Sequence, residues 1–257
     1  MIAKLNSKMI GSGPPIIILH GLFGMLDNWL TMAKKLEEVG YMPILIDLRD
    51  HGRSEHTDDF SYGLMADDLY HFMEENWIHD AIIIGHSMGG KVALQFTKNH
   101  ESMVSKLIVV DIGIKKYEAG HEDVLNALES VDMSTVESRQ DVEGILTETI
   151  KEVSTVQFLM KSLTRKKEGG YTWKINLPLL RKKYNNILSE ITFEYPVETP
   201  TLFVKGSTSS YILSKDFANI QKALPNANLQ EIANAGHWVH ADRPDELFKI
   251  IYSFIKE

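Results

Sequence analysis

The residues Gly85-His86-Ser87-Met88-Gly89 follow the pattern G-x-S-x-G. In that pattern a serine sits on a tight turn from strand to helix, which presents its hydroxyl as a nucleophile. Gly and Ser are common residues, so the five positions alone are a weak match, no better than an ordinary Gly/Ser turn. The flanks strengthen it. Ile82-Ile83-Ile84 leads in and Lys91-Val92-Ala93-Leu94-Gln95-Phe96 leads out, the strand–turn–helix order that the turn requires. Glycine at 85 and 89 removes Cβ atoms where strand and helix crowd together, and the helix N-terminus favours negative charge beside Ser87.

A serine hydroxyl is a weak nucleophile near neutral pH and needs a base. The chain holds ten histidines. His20, His51 and His86 lie in turns after strands, where a histidine is structural or lines a pocket, whereas His56, His71, His79, His100 and His121 fall in polar or helical stretches. His237, in Asn234-Ala235-Gly236-His237-Trp238, follows the last expected strand and precedes the last helix. In a parallel α/β sheet the C-terminal strand ends share one rim, so His237 is the expected base for Ser87. His240 stands three residues on, but no suitably spaced acidic partner accompanies the pair, so no metal site is expected.

The base needs an acid to hold its tautomer. Thr201-Leu202-Phe203-Val204 runs into Lys205-Gly206-Ser207-Thr208-Ser209-Ser210-Tyr211, which holds no carboxylate. Asp111, by contrast, closes the strand that follows the nucleophile's helix and is the favoured acid, with Asp47 or a bound water as the alternatives. Asp216, Asp242 and Asp245 read better as first-turn residues of helices. For an oxyanion, the backbone N–H of Met88 is one expected donor. The other comes from the turn His20-Gly21-Leu22-Phe23-Gly24, with Leu22 as first choice and Phe23 as second.

These residues need a scaffold, and the chain supplies one. Pro15-Ile16-Ile17-Ile18-Leu19, Met42-Pro43-Ile44-Leu45-Ile46, Ala81 to Ile84 and Lys106 to Val110 are short apolar runs, the mark of strands buried on both faces. Helical patterns separate them, which predicts a parallel sheet with helices on both sides. From about residue 115 to 195 the pattern breaks into helix-like stretches (124–128, 142–150 and 156–163), read as an insertion in a single domain spanning 1–257. Strand character returns at 201–204 and 228–232, and a last helix covers about 244–255.

Composition excludes several classes. Of 257 residues, 44% are hydrophobic and 24% charged, as in ordinary globular proteins. The net charge of −8 disfavours nucleic acid as a partner, and the absence of cysteine removes disulfides and thiol chemistry. No secretory h-region or membrane-length apolar run is present, so the expectation is a soluble cytoplasmic protein without a membrane span.

His20 to Gly24, Asp47-Leu48-Arg49-Asp50-His51-Gly52-Arg53-Ser54, Gly85 to Lys91 and Gly236-His237-Trp238-Val239-His240 together resemble the α/β-hydrolase superfamily, over essentially the whole chain. The stretch from His20 to Asn28, with Val110-Asp111-Ile112, looks most like the branch of small bacterial esterases of the YbfF type. That branch places its acid after the sixth strand, matching Asp111, while most of the superfamily places it after the seventh. The resemblance implies a mostly parallel eight-stranded sheet with helices on both faces and a helical lid insertion at about 115–195. It also implies a serine carboxylesterase that cleaves short or medium acyl esters, or acyl-CoA thioesters, through an acyl-enzyme on Ser87, with no metal or organic cofactor. Phe23 and Trp238 are expected at the acyl pocket, with Phe158, Leu159, Trp173 and Leu180 as wall residues from the lid, each of which could instead pack within the lid. Two basic runs, Arg165-Lys166-Lys167 and Arg181-Lys182-Lys183, could meet the phosphates of an acyl-CoA or form solvated helix faces. Nothing in the sequence fixes an oligomeric state. The rival reactions on the same triad are C–C bond hydrolysis and the elimination of menaquinone-pathway synthases. Serine at 87 disfavours dehalogenases and epoxide hydrolases, whose elbow carries aspartate, and the full triad disfavours a binding module without turnover.

Overall fold

Side chains alternate between two faces along each apolar run, and each face finds its own cover. In the computed structural model, which describes residues 1–257, the central strands are β2 (Pro15–Leu19), β3 (Met42–Ile46), β4 (Ala81–His86) and β5 (Val104–Val110). Ile16, Ile18, Leu45, Ile84 and Ile108 point to one side, where Ala33 and Leu36 of α1 (Leu30–Glu38) and Leu247 and Ile251 of the last helix (Pro244–Lys256) cover them. Ile17, Leu19, Ile44, Ile83 and Val109 point to the other, against Met65 and Leu69 of α2 (Tyr62–Glu75) and Val92 and Phe96 of α3 (Met88–Asn99).

With β1 (Ser7–Met9), β8 (Thr201–Gly206) and β9 (Ala227–Ile232), the sheet has seven strands in the order β1-β3-β2-β4-β5-β8-β9. Only β1 runs antiparallel to its neighbour. The sheet therefore has one strand fewer than the expected eight. The residues ahead of β1 give their backbone donors to side chains instead of a ladder: Ala3 N–H to Asp68 Oδ1 (2.7 Å), Lys4 to Glu55 (3.0 Å) and Asn6 to Ser54 Oγ (2.8 Å).

Between β5 and β8 lie α4 (Glu122–Glu129), α5 (Arg139–Thr149), α6 (Val153–Met160), α7 (Leu177–Lys182) and α8 (Tyr184–Ile187). The expected helices form, and a two-stranded ribbon of β6 (Leu163–Arg165) and β7 (Tyr171–Trp173) joins them. Leu125, Leu146, Leu159 and Leu180 of this insertion are buried in the same core as α2 and α3. No helix is long and apolar enough to cross a membrane.

Candidate active site

The turn at Ser87 is fixed by close packing. A Cβ on Gly89 would lie 2.5 Å from the carbonyl oxygens of Leu19 and His20, and one on Gly85 would collide with the Gly89 carbonyl. Glycine at both positions lets α3 start hard against β2 and β4. The cost falls on Ser87, held at φ 51° and ψ −119°, a backbone state that costs on the order of 1–3 kcal/mol. Its N–H bonds to the Val110 carbonyl at 3.0 Å, anchoring the turn to β5.

The site is assembled along adjacent strand ends, β4, β5, β8 and β9. His237 Nε2 stands 2.9 Å from Ser87 Oγ, and His237 Nδ1 stands 2.7 Å from Asp111 Oδ2. Asp111 follows β5 directly, is wholly buried, and sits at φ 51° with its N–H on the Val204 carbonyl (2.8 Å). The stretch after β8, which carries no carboxylate, serves this one instead. Gly206 N–H donates to Asp111 Oδ1 at 3.1 Å and Ser209 Oγ donates to Oδ2 at 2.5 Å. Thr208 and Ser207 tie the same stretch to the loop of His237, through the Ala235 carbonyl and the Asn234 N–H.

The other acids are engaged elsewhere. Asp47 accepts from the Leu26 N–H (2.8 Å), the Arg53 N–H (2.9 Å) and Asn6 Nδ2 (2.8 Å), and so braces two loops. Asp216 pairs with Lys115 at 2.5 Å, Asp245 with Lys35 at 2.5 Å, and Asp242 accepts the Gly236 N–H at 2.8 Å.

Leu22 lines the same cavities as Ser87, and its N–H is bonded to no other group; the N–H of Met88, next after Ser87 and first in α3, has no acceptor within its helix. Phe23, the second choice, is occupied: its N–H donates to His51 Nε2 at 3.3 Å. Burial holds His51 neutral, its pKa down to about 3, with Nδ1–H donating to the Arg49 carbonyl. His20 is likewise lowered to about 4 by burial, and its Nε2 accepts the Leu48 N–H. His86 is also pushed well below its ordinary value by burial and donates from Nε2 to the His237 carbonyl (2.8 Å). His240 stacks on Trp29, with centroids 4.6 Å apart.

Two cavities meet at Ser87. The smaller, about 70 Å³, is lined by Phe23, Phe158, Leu159 and Trp238 together with His237. The larger, about 420 Å³, is lined by Met88, Lys91, Ile112, Tyr117, Leu188 and Tyr211, and His237 is absent from its wall. Leu22, Ser87 and His121 border both. Trp173 and Leu180, expected as pocket walls, line neither: Leu180 is wholly buried in the core, and Trp173 is held in the β6–β7 ribbon opposite Leu163. Of the two basic runs, Arg181 and Lys183 are ion-paired with Glu122 (2.5 Å) and Asp59 (2.6 Å) and Lys182 between them is exposed, while Arg165, Lys166 and Lys167 are exposed along β6 and the turn after it.

Sequence reasoning missed four residues. Tyr211 lays its ring on the imidazole of His237, centroids 3.9 Å apart and planes 15° from parallel. Ser209 holds Asp111, and Lys91 and His121 line the cavities. Ser209 and Tyr211 left one trace, the hydroxyl-rich stretch from Ser207 to Tyr211.

Fold and site together define an α/β hydrolase, and the chain belongs to that family: the α/β-hydrolase fold model matches residues 14–123. Esterase YbfF of Escherichia coli is 33% identical over 245 residues, 95% of this chain and 93% of its own. An sn-1-specific diacylglycerol lipase of Danio rerio is 36% identical over 253 residues, 96% of this chain and 80% of its own. A solved structure described as a marine microorganism esterase superposes with a TM-score of 0.96 at 42% identity, covering 98% of this chain and 99% of that one.

Proposed function

We propose that the protein is a hydrolase of the esterase and lipase type that carries the acyl group of its substrate transiently on Ser87. The observation that carries this reading is the hydrogen-bonded line from Ser87 Oγ through His237 to Asp111, at 2.9 and 2.7 Å. The unengaged N–H of Leu22, which lines the same cavities as Ser87, and that of Met88, the next residue in the chain, support it.

Ser87 Oγ attacks the acyl carbonyl carbon while His237 Nε2 takes its proton. The carbonyl electrons move onto oxygen, where the N–H groups of Leu22 and Met88 stabilise the charge. Collapse breaks the bond to the alcohol, whose oxygen leaves with the proton from His237. Water then gives a proton to His237 and attacks the acyl group on Ser87; the acid departs and Oγ recovers its proton. Asp111 keeps Nδ1 protonated and stabilises the imidazolium.

The leaving oxygen must reach His237 Nε2, so the alcohol side belongs in the smaller cavity, which His237 lines. The acyl chain then fills the larger cavity, against Met88, Ile112 and Leu188. Phe23 and Trp238 thus face the alcohol rather than the acyl chain. The insertion, at about 115–195, acts as a lid whose walls exclude water from Ser87. Acyl-CoA thioesters suit the same attack: Arg181 and Lys183 are committed to carboxylates, while Arg165, Lys166 and Lys167 remain exposed to meet a phosphate.

A fluorophosphonate probe tests the central assignment. The wild type is expected to take the label and Ser87→Ala to lose it; a label that persists in Ser87→Ala overturns the reading. A panel of p-nitrophenyl acetate, butyrate and octanoate with matching acyl-CoAs then reports acyl length and any thioester preference.

A further inference from the structure

Lys91 is a buried cation that these steps leave unused. It lies one helical turn beyond Ser87 on α3, its N–H on the Ser87 carbonyl at 3.2 Å, and the residue is 1% exposed. The ammonium donates to the carbonyl of Lys115 at 2.7 Å and to the carbonyl of Ser189. The ring centroids of Tyr117 and Tyr62 lie 4.8 and 5.8 Å away. No carboxylate pairs with it; burial pulls its pKa down to about 7, and Glu190 pulls the other way only through its field. Such a placement is expensive unless the geometry around the charge is good.

The two acceptors say what the cation holds. Lys115 stands where the chain leaves the sheet after β5, and Ser189 where it returns toward β8. Tyr117 N–H bonds to the Leu188 carbonyl (2.9 Å) and Ile191 N–H to the Ile114 carbonyl (2.8 Å), so the two ends of the insertion run side by side as a neck. One ammonium ties both sides of this neck to the helix that starts at Ser87. Tyr117 and Leu188, one from each side, are walls of the larger cavity.

We propose that Lys91 is a positioning residue that binds both ends of the insertion to α3, fixes the far wall of the larger cavity relative to Ser87, and so sets how well long acyl chains are accepted. This rests on the reading that the larger cavity takes the acyl chain. A short acyl group needs only Leu22, Ser87 and Met88, which the neck does not hold; a long one needs the wall.

The test compares wild type with Lys91→Met, which keeps the stem and removes every donor. The ratio of kcat/KM for p-nitrophenyl octanoate to that for the acetate is expected to fall by about tenfold or more, chiefly through KM. Hydrogen exchange at the Tyr117 and Ile191 amides is expected to quicken by a similar factor. An unchanged ratio, an equal fall on both esters, or unaltered exchange at the neck overturns the proposal. Should Lys91→Met not fold, Lys91→Gln, with donors on a shorter stem, is read the same way. Failure of the serine esterase reading would appear in the wild type itself, as absent labelling at Ser87, whereas failure at Lys91 appears only in the comparison, where the exchange measurement needs no turnover.

Discussion

Phe23, Ser87 and Asp111 of the candidate site all hold φ between 51° and 61°, a region that residues with a Cβ avoid and that the exposed Trp77 also adopts away from it. Strain of this kind persists where the surroundings over-determine it. At Asp111 they visibly do: the β8 carbonyl of Val204, Gly206 N–H, Ser209 Oγ and His237 Nδ1 all engage one residue. The reading of Ser87, His237 and Asp111 as one unit makes a sharp demand on mutants. Ser87→Ala is expected to lower kcat on an ester by ~10⁴-fold or more, and Asp111→Asn by ~10³–10⁴ through the wrong imidazole tautomer. Asp47→Asn is expected to leave kcat within about tenfold and to act mainly on stability, since Asp47 braces loops by accepting two backbone N–H groups. A collapse of kcat in Asp47→Asn with near-normal Asp111→Asn would reverse that assignment. At this scale the candidate nucleophile Ser87 and candidate base His237 were readable from local pattern, and the candidate acid Asp111 from the missing carboxylate after Val204; the structure brings the three within hydrogen-bond distance. Ser209 and Tyr211 were not readable, because their partners lie 98 and 26 residues away and no local spacing encodes those contacts.

Elements explain why that residue set can exist. The elbow depends on α3 touching the backbone of β2, and Gly89 is where they touch. Gly89→Ala is expected to destabilise the protein by about 1–3 kcal/mol, because the added methyl meets carbonyl oxygens that cannot turn away. Urea unfolding measures this directly; a change below about 0.5 kcal/mol would show that β2 and α3 can separate freely. The buried strands and the flanking helices were legible because their apolar runs and helical periods are long enough to read. The β6–β7 ribbon was not, since three residues per strand leave no run to recognise. Nor was the missing eighth strand, because Ala3 and Asn6 find side-chain acceptors that only the folded chain brings near.

For the molecule as a whole, neutral buried histidines link the site to stability. Burial lowers His20 to about 4 and His51 to about 3, from an ordinary 6.5, and lowers His86 as well. Below pH 6.5 the unfolded chain binds protons that the native rings refuse. Their contribution is therefore complete above pH 6.5 and is lost as pH falls toward 4, by about 1.4 kcal/mol per pH unit for each histidine in the steep part. Urea unfolding at successive pH values between 7 and 5 is expected to show this decline, and His51→Gln to make it shallower; a flat profile would mean that these rings accept protons in place. The same neutrality preserves the loop that offers the Leu22 N–H, since His51 must keep its Nε2 lone pair to accept from Phe23.

Acid-quenched mass spectrometry of the protein during turnover of a p-nitrophenyl ester tests the central claim most directly. The account predicts a covalent acyl adduct confined to the peptide that carries Ser87. Steady turnover with an adduct on any other peptide, or with none on that one when deacylation is slowed by a bulky acyl group, would contradict it.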